Sequence, residues 1–312
     1  MKPFRKNLAI AIDGGGIRGV IVTGALGVVE QHLGTPLNQA ARLYAGTSTG
    51  SIISAALAAG LSASKIHALY LELGSRIFRK SWRTFFFPLT SYRYPSGPLE
   101  EALHDQLGDM KMKDLWKDMA LRDVVITAFD VLTNETCFIK PWKLQYQDWP
   151  LTKAALASSC VPTYFPPVDG RYVDGGVGSY ANPCYLAAYE ADFCLGWKPE
   201  ETTLLSFGTG RSPAVAKPGE PQHFAPWDWL DPVLDGFLSS ASDQQVRLVE
   251  TFYKKLDFRR FQVDLAEPLP MDDPSSIPAL LEYGQQMGQM VLDDATDSAA
   301  TIKPAKARRV PR

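Results

Sequence analysis

Ser48 stands in Gly46-Thr47-Ser48-Thr49-Gly50, a G-x-S-x-G pattern. A short stretch at 42–45 that reads as a strand precedes it and an alanine-rich helical stretch at 51–59 follows. That strand–turn–helix setting is the one in which such a serine serves as a nucleophile. The chain must reverse within a few residues, so side chains at Gly46 and Gly50 would clash with the neighbouring strand and helix. The helix that begins at the serine also turns its positive end toward an oxyanion forming beside it. The pattern recurs by chance in many proteins, so it needs partners.

Two further clusters supply them. Asp13-Gly14-Gly15-Gly16-Ile17-Arg18-Gly19 follows a first apolar run and opens a helix. Backbone N–H groups of Gly14, Gly15 and Gly16 can converge on one anionic oxygen, because no Cβ blocks the approach. Each such donor is typically worth about 2.7–4 kcal/mol to a transition state. Arg18 either holds this loop or draws in an anionic head group, unless it is simply a surface or capping arginine. Val173-Asp174-Gly175-Gly176 places a carboxylate at another strand end. Asp174 could take the Ser48 proton at a separation of about 2.6–3.2 Å. Taken alone, Asp-Gly is ordinary turn chemistry.

The glycine loop has a rival reading. Gly14-x-Gly16-x-x-Gly19 also satisfies the dinucleotide-binding pattern, which would make the chain a nucleotide-binding module. That reading requires an acid at the end of the second strand, whereas Ala45-Gly46-Thr47-Ser48 has none and Glu30 lies within the first helix. Histidine offers little for a triad. Only His223 follows Asp174; His32, His67 and His104 come earlier, in helical stretches. Cys137, Cys160, Cys184 and Cys194 are irregularly spaced with no CxxC pair, which argues against a zinc site and for reduced, mostly buried thiols in a cytosolic setting.

The three clusters, in this order and at these separations, resemble the patatin-like phospholipase family. Ala157-Ser158-Ser159-Cys160-Val161-Pro162-Thr163-Tyr164-Phe165 is similar to the family segment before the aspartate, and Ser206-Phe207-Gly208-Thr209-Gly210 to a later family strand. One Asn182 precedes Pro183 where the family often has two. The resemblance implies a three-layer α/β fold, with a mostly parallel central sheet and helices on both faces. It also implies a Ser48–Asp174 dyad, an oxyanion hole at Gly14–Gly16, no cofactor or metal, and cleavage of fatty acyl esters of lipids. A catalytically idle scaffold of the same fold is the alternative. Nothing in the residues identifies a small-molecule activator.

The elements that must position these groups alternate. Runs at 7–13, 42–45, 123–128, 137–139 and 203–207 read as strands, with a turn at 133–136. Helical patterns cover 17–33, 51–59, 99–107, 151–159, 232–256 and 277–295. Such alternation favours a parallel sheet covered by helices. With 312 residues and no repeat or clear linker, one domain over 5–296 is expected, then a basic, disordered tail at 297–312. A formal charge of −2 gives no reason to expect a nucleic-acid partner. The apolar run after Met1 is too short for a signal peptide, and no run approaches the ~18 residues of a membrane span. Residues 82–94 cluster aromatics among prolines. Phe85, Phe86 and Phe87 cannot all face one core, so they are candidate contacts for an acyl chain or a bilayer surface, with nearby arginines for anionic head groups.

Overall fold

The first strand, β1 (Asn7–Ile12), sends alternate side chains to opposite faces. Leu8, Ile10 and Ile12 enter one hydrophobic core, whereas Ala9 and Ala11 enter another. A strand buried on both faces reads as a continuous apolar run. The computed structural model describes residues 1–87, 89–117, 122–213, 219–225 and 229–297.

After β1 come helix α1 (Gly19–Leu33), the single turn α2 (Leu37–Ala40), strand β2 (Leu43–Gly46) and helices α3 (Thr49–Ala58) and α4 (Ala63–Ile77). Helices α5 (Trp82–Phe85) and α6 (Gly97–Leu107) follow, then strands β3 (Asp123–Asp130) and β4 (Glu135–Ile139). Next are helix α7 (Leu151–Ser159), strand β5 (Tyr172–Asp174) and helix α8 (Cys184–Tyr189). Strand β6 (Thr202–Phe207), helix α9 (Leu230–Phe252), strand β7 (Asp257–Phe261) and helix α10 (Ile277–Leu292) are the last.

Among the described residues one sheet runs β4-β3-β2-β1-β6-β7, with β5 also paired to β3. Strands β3, β2, β1, β6 and β7 are mutually parallel, while β4 and β5 lie antiparallel to β3. Helices α1, α3, α4, α6, α7 and α10 cover the face of Ile10, and α8 and α9 cover the face of the small Ala9 and Ala11. This is the expected three-layer α/β arrangement with a mostly parallel sheet.

One detail of the pairing builds the site. β2 accompanies β3 only as far as Gly46 opposite Ile126, then turns away. β4 occupies the other edge of β3 from Ile126 to Asp130, so β5 must continue along the edge that β2 vacates. Asp174 thereby pairs with Ala128, just beyond the point where β2 departs.

The sequence reading differs from this fold in places. Strand β7 and helix α8 were not expected, and α4 was expected only as a helical stretch around His67 without bounds. The helix expected over 232–256 ends at Phe252, before β7. Charged residues in Asp257-Phe-Arg-Arg-Phe261 mask a strand whose ions are all paired: Arg259 with Asp257, and Arg260 with Asp13. Asp297 belongs to the fold, since its N–H donates to the Arg260 carbonyl (2.7 Å) and its carboxylate meets Arg211 (2.6 Å). The rest of the expected tail, 298–312, lies outside the described residues. Among those described, no helix is long and apolar enough to cross a membrane.

Candidate active site

Where β2 gives way to α3, Ser48 has φ 54° and ψ −127°. A side-chain-bearing residue at positive φ is strained, and this sharp turn lifts its hydroxyl above the end of the sheet. The flanking glycines are required by contact: a Cβ on Gly46 would overlap the Gly50 backbone, and one on Gly50 would overlap the Ile12 carbonyl. Serines hold the strained residue on both sides. Its N–H donates to Ser158 Oγ (2.8 Å), and its carbonyl accepts from Ser51 Oγ (2.6 Å) and Ser159 Oγ (3.2 Å).

Asp174 is buried at the end of β5. Its Oδ1 accepts the Gly176 N–H at 2.8 Å, and Gly175 is pressed against Thr127, where a Cβ would not fit. Burial raises the carboxyl to a pKa of about 6, opposed by hydrogen bonding from the Ser48 hydroxyl and the Gly176 N–H. Oδ2 is fully buried and has no hydrogen bond of standard geometry. The Ser48 hydroxyl nevertheless lies near enough to lower the carboxyl's pKa. Ligand-free sites commonly show this, and the bond tightens when substrate binds.

The glycine loop lies against the serine. A Cβ on Gly14 would sit 3.1 Å from Ser48 Cβ, and one on Gly15 or Gly16 would collide with Thr209 or Met271. Protein atoms thus fill the space that a pyrophosphate would need beside these glycines, which counts against the dinucleotide reading. The expectation for Gly14 requires correction: its N–H donates to the Ala181 carbonyl at 2.9 Å and is not free for an oxyanion. Gly15, Gly16 and Thr49 have N–H groups with no acceptor among the described residues. The loop is tied from several directions. Thr209 Oγ1 donates to the Gly14 carbonyl (2.6 Å), Ile17 N–H to the Met271 carbonyl (2.9 Å) and Arg18 Nη1 to Ser212 Oγ (2.8 Å). Arg18 is buried and so holds the loop; it is not a surface or head-group arginine. Beneath it, Arg260 Nη1 donates to Asp13 Oδ1 and Ser206 Oγ, both at 2.9 Å.

Ser48 opens into an apolar pocket walled by α3, α4, α6 and the segment 159–165, with about 970 Å³ of empty space including its mouth. Ile52 and Ala56 contribute from α3, Ile66 and Tyr70 from α4, and Leu103 from α6. Tyr70 donates its hydroxyl to the Thr49 carbonyl at 3.1 Å, so the polar group on this wall is satisfied. Phe85, Phe86 and Phe87 are not among the lining residues, which removes the acyl-chain half of that expectation. Phe85 and Phe86 are exposed instead, and Phe87 lies beneath Arg93. The wall residues Phe78, Tyr164 and Phe165 were not singled out from the sequence. The 66-69-70-74-77 spacing of small and apolar residues in α4 was the available signal. His223 is exposed and outside this lining.

The fold and site together define a three-layer α/β protein whose elbow serine faces a buried aspartate above an apolar pocket. The chain belongs to the patatin-like phospholipase family, whose model matches residues 10–188. It is 30% identical to patatin-like protein 2 of Arabidopsis thaliana over 75% of this chain and 69% of that one. It is also 30% identical to an intracellular phospholipase A2 of Caenorhabditis elegans, over 69% of this chain but only 20% of the longer relative. Among solved structures, VipD from Legionella pneumophila superposes on 93% of this chain and 67% of its own, with a TM-score of 0.50 at 13% identity. That likeness concerns the fold alone.

Proposed function

We propose that the protein is a lipid acyl hydrolase that cleaves fatty acyl esters, with Ser48 as nucleophile and Asp174 as general base. One observation carries the reading. A serine at positive φ faces a buried carboxyl of pKa about 6 at the mouth of an apolar pocket. Ser48 Oγ attacks the ester carbonyl while Asp174 takes its proton. The N–H groups of Gly15 and Gly16, with Thr49 at the helix start, are the donors available to the tetrahedral oxyanion. Collapse expels the alcohol or lyso-lipid, which receives the proton from Asp174. Water then enters, loses a proton to Asp174, and hydrolyses the acyl-serine. A carboxyl near 6 suits both directions of transfer at neutral pH, being mostly ionised yet readily protonated. Family membership and the phospholipase name of the nematode relative support a membrane lipid as the ester.

The test is release of p-nitrophenol from an acyl ester. Ser48→Ala should lower kcat/KM by about 10³-fold or more with folding intact. Wild-type turnover in that variant ends the proposal.

A further inference from the structure

Between Glu72 and Glu100 the sequence has no acidic residue but five cations: Arg76, Arg79, Lys80, Arg83 and Arg93. Two are engaged, Arg76 with Glu101 (2.7 Å) and Arg93 with Asp272 (3.4 Å). Arg79, Lys80 and Arg83 form no ion pair among the described residues, although Lys80 interacts electrostatically with Asp273. The Arg83 guanidinium lies over Trp82 (4.8 Å) and Tyr92 (4.7 Å), an arrangement that fixes its plane and leaves its N–H groups to seek acceptors. Ser75, Arg76, Arg79, Ser81, Trp82 and Arg83 line one shallow groove, whose lining includes no carboxylate. Ile77 lines both this groove and the pocket below Ser48.

Among the described residues, the same segment carries the densest exposed apolar surface. Trp82, Phe85, Phe86 and Leu89 are 62%, 82%, 50% and 87% exposed within eight residues. Such a cost in water is recovered where aromatic rings can enter the boundary between head groups and acyl chains. The segment is also fastened to the pocket wall, since Arg93 N–H donates to the Thr163 carbonyl (2.9 Å) and Tyr94 N–H to the Tyr164 carbonyl (2.8 Å).

We propose that residues 75–87 and 89–93 form a docking surface for an anionic phospholipid bilayer, with the arginine-lined groove receiving a lipid phosphate. The inference names the partner of the site proposed above and rests on that reading. Guanidinium forks match phosphate oxygens, the serine hydroxyls add donors, and the exposed rings take the interfacial depth. Docked this way, the head group lies in the groove while a chain can pass Ile77 and Phe78 into the pocket.

The experiment uses Ser48→Ala protein, so that binding is read without turnover. It is sedimented with phosphatidylcholine vesicles, with and without phosphatidylglycerol. Vesicles containing phosphatidylglycerol should bind it more tightly, and added salt should weaken the binding. Adding Arg79→Ala, Lys80→Ala and Arg83→Ala together should lower the partition coefficient by on the order of a hundredfold, since each basic residue contributes about fivefold at an anionic surface. Adding Phe85→Ser and Phe86→Ser instead should weaken binding to both kinds of vesicle. An unchanged melting temperature certifies the fold of each variant. Equal sedimentation of the triple-charge variant and its parent overturns the proposal. So does loss of vesicle binding to millimolar glycerol phosphate, which would make the ligand a soluble anion. Absence of ester hydrolysis in the wild type would instead overturn the catalytic reading, whatever the vesicles show.

Discussion

Burial holds the Asp174 carboxyl at about 6, against the pull of Ser48 and Gly176. In the unfolded chain the same group titrates near 3.8. Its contribution to stability is therefore fully present below that value and is lost as the pH rises through 6. At pH 8 the folded protein holds a buried charge at a cost of about 3 kcal/mol. Asp174→Asn should raise the urea-unfolding free energy at pH 8 by up to about 3 kcal/mol, a gain that shrinks toward zero near pH 4. The same change should lower hydrolysis by about 10²–10⁴-fold. In the wild type, kcat/KM should fall on the acid side with one apparent pKa near 6. A less stable Asp174→Asn protein at pH 8 would contradict the burial argument. Ser48 and Asp174 could be read from the sequence because each sits in a motif whose glycines have a local steric purpose. Gly14 could not be judged that way. Whether an amide is free depends on its partner, here the carbonyl of the distant Ala181.

The elements were legible in proportion to their apolar continuity. β1, β2, β3 and β6 have uncharged, mostly buried centres and were expected from the sequence; β7, with Arg259 and Arg260 in its middle, was not. Yet β7 delivers Arg260 under the glycine loop, where its guanidinium meets Asp13. Arg260→Ala should leave Asp13 buried without its counter-charge, costing about 3–5 kcal/mol of stability. If the loop shifts with it, kcat/KM should fall by about 10²-fold. Arg260→Lys, which keeps the charge without the fork, should recover part of both. An Arg260→Ala protein with wild-type stability would show that the pair is not what holds the loop. Helix α3 sets a different limit. Ala56 lines the pocket two turns beyond Ser48, about 12 Å along the helix axis. Ala56→Phe should therefore shorten the chain that fits, lowering the ratio of long-chain to butyrate ester turnover by about tenfold or more. An unchanged ratio would mean that the acyl chain leaves Ser48 by another route.

At the scale of the whole molecule, the first described residues and the last described helix meet on one edge strand. Arg259 of β7 is buried, donating to the carbonyls of Lys2 (2.8 Å) and Pro3 (2.9 Å) and pairing with Asp257 (2.6 Å) and Asp294 (3.3 Å). The sheet order places β1 in the interior with helices on both faces, so neither half of the chain buries its strands alone. These ties and the shared sheet favour a single cooperative unit from the first strand through α10. Arg259→Ala should then cost about 3–5 kcal/mol, because Asp257 keeps only the exposed Lys2 (3.2 Å) and the Thr203 hydroxyl (2.9 Å) and the two carbonyls are orphaned, and should lower one unfolding transition for the entire fold. The check is a heat scan followed at once by far-ultraviolet circular dichroism and tryptophan fluorescence. Coincident midpoints, both lowered, are expected. Two separated transitions would mean that β7 and α10 form a unit of their own, docked on a sheet that stands without them.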